Sequence, residues 1–253
     1  MCKINIYVRT DVRTKEGRKV PNGKMASQSA HALMGLFLSL FNKDNRKLTL
    51  MEKNKTLANH FLNNSFELNV IPISSEKEIL ELFNENKEES FMVTDQGLTS
   101  FNEPTITTLA VAPKGTILSD DIRCRREDLK GYNSKQVIVI NKDKIKDKWD
   151  MFHSVSMCSI TFLIDLLNKS ENKDSITLDN DGLNNWINGL FAKITVKPSV
   201  LTFEDALLKL EKAKSDNIYT SVFTKNDEIK CISFGADSIE KIDFYTKEGF
   251  SLA

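Results

Sequence analysis

The four cysteines, Cys2, Cys124, Cys158 and Cys231, form no CxxC pair and have no histidine at metal-ligand spacing. That removes the sequence basis for a zinc site or a disulfide framework. Reduced thiols are expected, and Cys158 and Cys231, set in apolar segments, read as buried and inert. Glycine (10) and proline (5) are scarce in 253 residues, which excludes collagen-like and low-complexity classes. Charge of either sign is not in excess, since 35 basic residues cancel 35 acidic ones. A general nucleic-acid coat protein, which depends on summed phosphate neutralisation, is therefore disfavoured. No run approaches the roughly 18 apolar residues that span a bilayer, and the start, MCKINIYVRTDV, lacks the apolar centre of a secretory signal. The expectation is a cytoplasmic protein with no membrane partner.

What is present is the composition of a folded globular protein, 40% hydrophobic and 28% charged. The length allows one large domain or two of ordinary size. Neutrality overall hides two basic concentrations: Arg9, Arg13, Lys15, Arg18, Lys19 and Lys24 near the start, and Arg123, Arg125, Arg126 and Lys130 near the middle. Either could be a solvated surface or a local anion-binding patch.

The chain reads as two copies of one unit. An offset of 126 pairs Met25 with Met151 and runs without a gap to Pro72 and Pro198. Leu40/Leu166, Asn42/Asn168, Leu57/Leu183, Asn59/Asn185 and Val70/Val196 coincide along the way. A solenoid repeat would be much shorter. Each copy opens with a strand (KINIYVRTD, KQVIVINKD) and continues with a long and a short helix. An alternating strand closed by proline (FELNVIP, AKITVKP), an acidic helix with Ser75 or Thr202 as N-cap, and two short strands complete it. The order β-α-α-β-α-β-β predicts an α/β fold, a tandem duplication of a small mixed-sheet domain covered by helices. Expected units are 1–125 and 134–253, with the linker between Lys114 and Ser134, and the two halves could associate as an intramolecular pseudo-dimer.

The copies differ where chemistry would sit. GKMASQSAHAL, residues 23–33, places Lys24, Gln28 and His31 four and three residues apart, on one helix face. Leu33, Leu36, Phe37 and Leu40 cluster near the opposite side, as on a helix packed against a core. At the matching places the second copy has Asp150, Ser154 and Met157. A stripe serving only solubility would be replaced by other charges rather than by methionine. Downstream, DQGLTSFNEPTITTLAVAP carries Asp95, Gly97, Thr99, Thr105 and Thr107. A carboxylate at a strand end before glycine suits a presented functional group, and equally an Asx-type turn.

Together these motifs resemble the type 2 peptidyl-tRNA hydrolase family. They comprise Gly23, Lys24, Met25, Ala26, Gln28, His31 and Ala32, then Asp95, Gly97 and Thr99, then Thr105, Thr107 and Pro113. The resemblance covers residues 1–125; the second half resembles the same fold without the motif residues, as a degenerate copy. It implies hydrolysis of the ester joining a peptide to the 3′ end of tRNA, without metal or organic cofactor. The implied catalytic group is Lys24, His31, Asp95 and Thr99. Asp95 would orient or activate water, and Lys24 would stabilise developing charge or a nearby phosphate. Substrate binding would fall to Arg9, Gln28, Gly97, Thr105 and Thr107. Arg9 and the basic loop would meet the acceptor-stem backbone of the tRNA partner, without reading its sequence. The chain departs from the family pattern in its tandem form, its longer loop before Lys24, Leu98 in place of a basic residue, and Pro104 in place of glycine. These departures leave a second reading open, a non-catalytic tRNA-binding or protein-interaction module on the same fold. Abundant Lys, Asn and Ile suit an A/T-rich coding source such as a phage or low-GC bacterium.

Overall fold

The computed structural model describes residues 2–97, 100–123, 133–189 and 191–253. Strand β1 (Cys2–Arg9) leads through a loop into helix α1 (Asn22–Leu38). A hairpin of β2 (Phe41–Asp44) and β3 (Lys47–Leu50) precedes α2 (Lys55–Leu62), β4 (Phe66–Ile73) and α3 (Glu76–Glu85). Strands β5 (Ser90–Asp95) and β6 (Thr105–Val111) and the short α4 (Asp120–Arg123) follow. The second half runs β7 (Ser134–Ile140), α5 (Lys148–Lys169), β8 (Ser175–Thr177), α6 (Asp181–Asn188), β9 (Lys193–Pro198) and α7 (Phe203–Ser215). It closes with β10 (Thr220–Lys225), β11 (Glu228–Ser238), α8 (Ile239–Thr246) and β12 (Phe250–Leu252).

Two mixed sheets form. One has the order β4-β1-β6-β5, with β1 parallel to β4 and antiparallel to β6. The other has the order β12-β9-β7-β11-β10, with β7 parallel to β9 and antiparallel to β11. Setting β12 aside, the strand order and the pattern of directions are the same in both. The hairpin β2/β3 with β8, and the closing α8 and β12, are elements that sequence pattern did not predict. Leu48 pairs with Ile176 across β3 and β8, so this small third sheet joins the two halves.

Helices α1 and α5 lie against each other between the two sheets. The main core cluster draws from both halves, from Ile4, Ile6, Leu33 and Phe37 to Ile138, Val155, Phe162 and Trp186. Fourteen of the 17 residues of α1 are buried, so it packs on the core as its apolar spacing predicts, and Gln28 on its polar face is buried as well. Helix α5 is long and apolar enough to cross a membrane by composition, yet 61% of its most apolar window is buried in the protein. Outside the sheets, α3 brings Ile79 onto Ile73 and Leu109. On the other side α7 and α8 bring Leu210 and Ile242 onto Val139 and Phe234.

The predicted caps form. Ser75 accepts the Glu78 N–H, and Thr202 and Asp205 make a reciprocal capping box. The offset of 126 carries α2 onto α6 residue for residue, with Leu57 and Leu183 both buried. It fails by one residue at the next strand. Val70 packs on the central helical layer, whereas Val196 faces the outer one. A slip of one residue reverses every side chain of a strand, so no gap-free pairing can hold there.

Candidate functional site

The site is built where the N-terminal turn of α1 meets the end of the β5/β6 hairpin. Asp95, the last residue of β5, is held from three directions. Lys24 Nζ stands 2.5 Å from its Oδ2, and Gln28 Nε2 donates to the same oxygen at 2.8 Å. The Gly97 N–H donates to Oδ1 at 3.0 Å. One oxygen closes the expected Asx-type turn, and the other takes the contacts from Lys24 and Gln28. Gly97 has φ +77, and a Cβ there would press on the Glu103 backbone, so only glycine fits without strain. The turn keeps these contacts with Pro104 in place.

Gln28 is 3% exposed and its amide is oriented from behind. Thr107 Oγ1 is 3.1 Å from Gln28 Oε1 and 3.3 Å from Val93 O, a single hydrogen serving both acceptors. Thr108 donates to the Gln28 carbonyl at 3.0 Å. Thr107 reaches this position because the register of β5 and β6 shifts beside it, Val93 pairing with Thr108 and Thr94 with Ile106. Such a bulge re-aims a side chain next to a site. Thr105 pairs with Asp95 across the hairpin and donates to Glu103 O at 3.0 Å. Thr99 lies outside the described residues. Among the described residues the Asp95 network does not include His31, which stands half-buried one turn beyond Gln28.

Around the cluster, Lys24 sits 5.9 Å from the Phe101 ring centroid, within cation–π range. The basic loop is a hairpin. Arg13 and Lys19 bridge, Thr14 N–H donates to Arg18 O at 2.8 Å, and buried Val12 and Val20 anchor its ends. Lys15 N–H donates to Ser100 O at 2.9 Å, which ties the loop to the turn region after Asp95. Arg13, Lys15, Arg18 and Lys19 are exposed there.

Arg9 does not fit its expected phosphate contact. Its side chain is 8% exposed, and its guanidinium donates to Asp11 (3.0 and 2.7 Å), Glu76 (2.6 Å) and the Ile106 carbonyl (3.0 Å). It ties the end of β1 to α3 and β6. The hydrogen bond from Arg9 in turn holds the Asp11 carboxyl below the usual carboxylate range. Of the second basic concentration, Arg123 ends α4, and Arg125, Arg126 and Lys130 lie outside the described residues.

The second half also reaches the site, which no local pattern signalled. Ser27 and Thr195 of β9 share a hydrogen bond at 2.8 Å, and the Gly23 N–H donates to the Ala253 carbonyl at 3.0 Å. Gly23 leaves no room for a Cβ against Ala253. Cys158 and Cys231 are buried as expected; burial pushes the Cys158 thiol up to about 12 and raises Cys231 too. Among the described residues no three His, Cys, Asp or Glu side chains converge as metal ligands.

A half-buried, oriented carboxylate paired with an ammonium is suited to holding a water molecule and stabilising negative charge as it develops nearby. Residues 2–123 match the family model for peptidyl-tRNA hydrolase PTH2. The match spans the N-terminal half of the chain, which is similar to that family. No curated protein matches the chain. The matched span contains Lys24, Gln28, Asp95 and Thr107, and the basic hairpin.

Proposed function

We propose that this protein hydrolyses the ester bond of peptidyl-tRNA, releasing peptide and free tRNA, at the Lys24–Asp95 cluster. The observation that carries the reading is the convergence of Lys24 Nζ and Gln28 Nε2 on one oxygen of Asp95. Asp95 holds the attacking water and takes up its proton as the oxygen adds to the ester carbonyl. Lys24 lies beside the negative charge that develops there, and the proton ends on the departing 3′ ribose oxygen. Gln28 and Thr107 position Asp95 rather than react. His31 on α1 and, by its place in the Asp-x-Gly-x-Thr motif alone, Thr99 are assigned catalytic roles, and Thr105 and Gly97 shape the turn that holds the carboxylate. The exposed hairpin residues Arg13, Lys15, Arg18 and Lys19 meet acceptor-stem phosphates.

The second half, residues 134–253, is read here as a degenerate copy of the unit formed by 1–125, with no PTH2 motif residues of its own. Identical strand order in the two sheets and the equivalent starts of α1 and α5 support this. It serves the first half by completing its core and backing α1 through Thr195 and Ala253.

The test is peptide release from an N-acetylated aminoacyl-tRNA by the wild-type chain and by Asp95→Asn. The reading expects turnover by the wild type and a loss of about 10²–10⁴-fold in the variant. Tight tRNA binding with no release by the pure protein would instead identify a non-catalytic tRNA-binding module.

A further inference from the structure

At the place in the second half that corresponds to the Lys24–Asp95 pair, the charges are reversed and a cavity opens. Asp150 is the third residue of α5, as Lys24 is the third of α1. Lys225 ends β10 as Asp95 ends β5, and each strand lies at the corresponding edge of its sheet. The bulge recurs as well. Phe223 pairs with Cys231 and Thr224 with Ile229, so Lys230 stands where Thr107 stands in the first hairpin. Lys225 Nζ is 3.9 Å from Asp150 Oδ1, too far for a hydrogen bond, whereas the first-half pair closes to 2.5 Å.

The cavity measures about 300 Å³ and is also lined by Lys146, Trp149, His153 and, from the edge strand β4 of the other sheet, Asn69. The Nδ1 of His153 is shielded from solvent and has no hydrogen-bond partner among the described residues. Burial, with the charge of Lys225 second, lowers the His153 pKa to about 4, so the ring is neutral near pH 7. A buried ring nitrogen left without a partner is destabilising. A ligand that supplies the partner recovers that cost. Lys230, by contrast, spends its ammonium on the Lys144 carbonyl (2.5 Å) and Glu228 (2.9 Å), and holds the β10/β11 hairpin in place.

We propose that this cavity binds a nucleotide, with its phosphate at Lys225 and Lys146 and its base against Trp149 and hydrogen-bonded to His153 Nδ1. Asp150 accepts from a ribose hydroxyl or an exocyclic amine. The chemistry is shared by two sources, a free mononucleotide and a nucleotide of a bound RNA strand. The proposal does not rest on ester hydrolysis at Asp95.

The chain has three histidines, so the ring signals of His153 can be assigned by NMR from their loss in His153→Gln. The full chain is titrated with AMP, with CMP, with inorganic phosphate and with deacylated tRNA. A free-nucleotide source predicts saturable shifts of the His153 signals with mononucleotide, with phosphate at least ten-fold weaker and Lys225→Ala at least ten-fold weaker. An RNA source predicts that tRNA alone moves His153, and that Lys225→Ala abolishes the movement. Unmoved His153 signals with every probe, or shifts that survive both Lys225→Ala and Lys146→Ala, overturn the proposal. Equal affinity for phosphate and mononucleotide overturns the assignment of a base contact. Asp95→Asn keeps the binding, so failure of hydrolysis and failure of this site are separable.

Discussion

Lys24 and Asp95 form an ion pair of 2.5 Å in which the carboxylate is 9% exposed and the lysine 23%. The pair is therefore partly withdrawn from water, where its charges act more strongly on a neighbouring group than those of a surface pair would. Its geometry depends on Gln28, which shares the same carboxylate oxygen and is itself fixed by Thr107.

Gln28→Leu removes the amide while keeping apolar volume. Asp95 loses one donor and Thr107 keeps Val93 O as its acceptor, so the stability loss should be about 1–2 kcal/mol. Peptide release should fall by roughly ten- to a hundred-fold in kcat, with a smaller change in KM, because the interaction orients the reacting group rather than binding substrate. Urea denaturation and steady-state kinetics read the two effects separately. Unchanged kcat would remove Gln28 from its positioning role.

Reversing the hairpin charges in Arg13→Glu/Lys15→Glu/Arg18→Glu should weaken tRNA binding and lower the slope of log affinity against log salt by about 2–3. The hairpin's anchors Val12 and Val20 are untouched, so kcat at saturating tRNA should stay within a few-fold of the wild type. Binding measured at several salt concentrations checks this. An unchanged slope would mean that the loop does not meet phosphates.

Arg9→Leu should behave in the opposite way. It strips the buried guanidinium from Asp11 and Glu76, leaving two partly exposed carboxylates without their counter-ion. The expected cost is about 1–3 kcal/mol, less than for a fully buried pair because water reaches both acids. The salt slope of tRNA binding should not change. Chemical denaturation together with the same salt series tests both halves of the expectation.

His153 makes stability depend on pH. Its folded pKa of about 4 lies below the ordinary 6.5, so the unfolded chain binds more protons between those values. Its contribution is complete above pH 6.5 and is lost as pH falls toward 4, amounting to roughly 2–3 kcal/mol over that window. His153→Gln should flatten the fall in denaturation midpoint between pH 7 and pH 4.5. A fall as steep as the wild type's would assign the acid sensitivity to other groups.

Local pattern carried a large part of this protein. Alternation in KINIYVRTD and FELNVIP, caps at Ser75 and Thr202, and the return of Lys24, Gln28 and His31 to one helix face are properties of short segments. Each is set by the 2.0 and 3.6 residue periods of strand and helix and can be read without a fold. The grouping of Lys24 with Asp95 was also legible, though only because the two motifs occur together in one family pattern.

What the sequence by itself determined is the set of elements and the residues able to do chemistry; tertiary structure decided what each of them touches. Arg9 is as basic as Arg13, yet it is spent inside on Asp11 and Glu76, because β1 runs beside β4 and ends over α3. Val70 and Val196 match in type and face opposite ways, because a single added residue reverses a strand. Thr107 turns toward Gln28 only because of a bulge, and Thr195 and Ala253 reach the site only because two sheets enclose α1. These contacts join residues remote in sequence, and their energy is earned on packing, where no local period can record the partner.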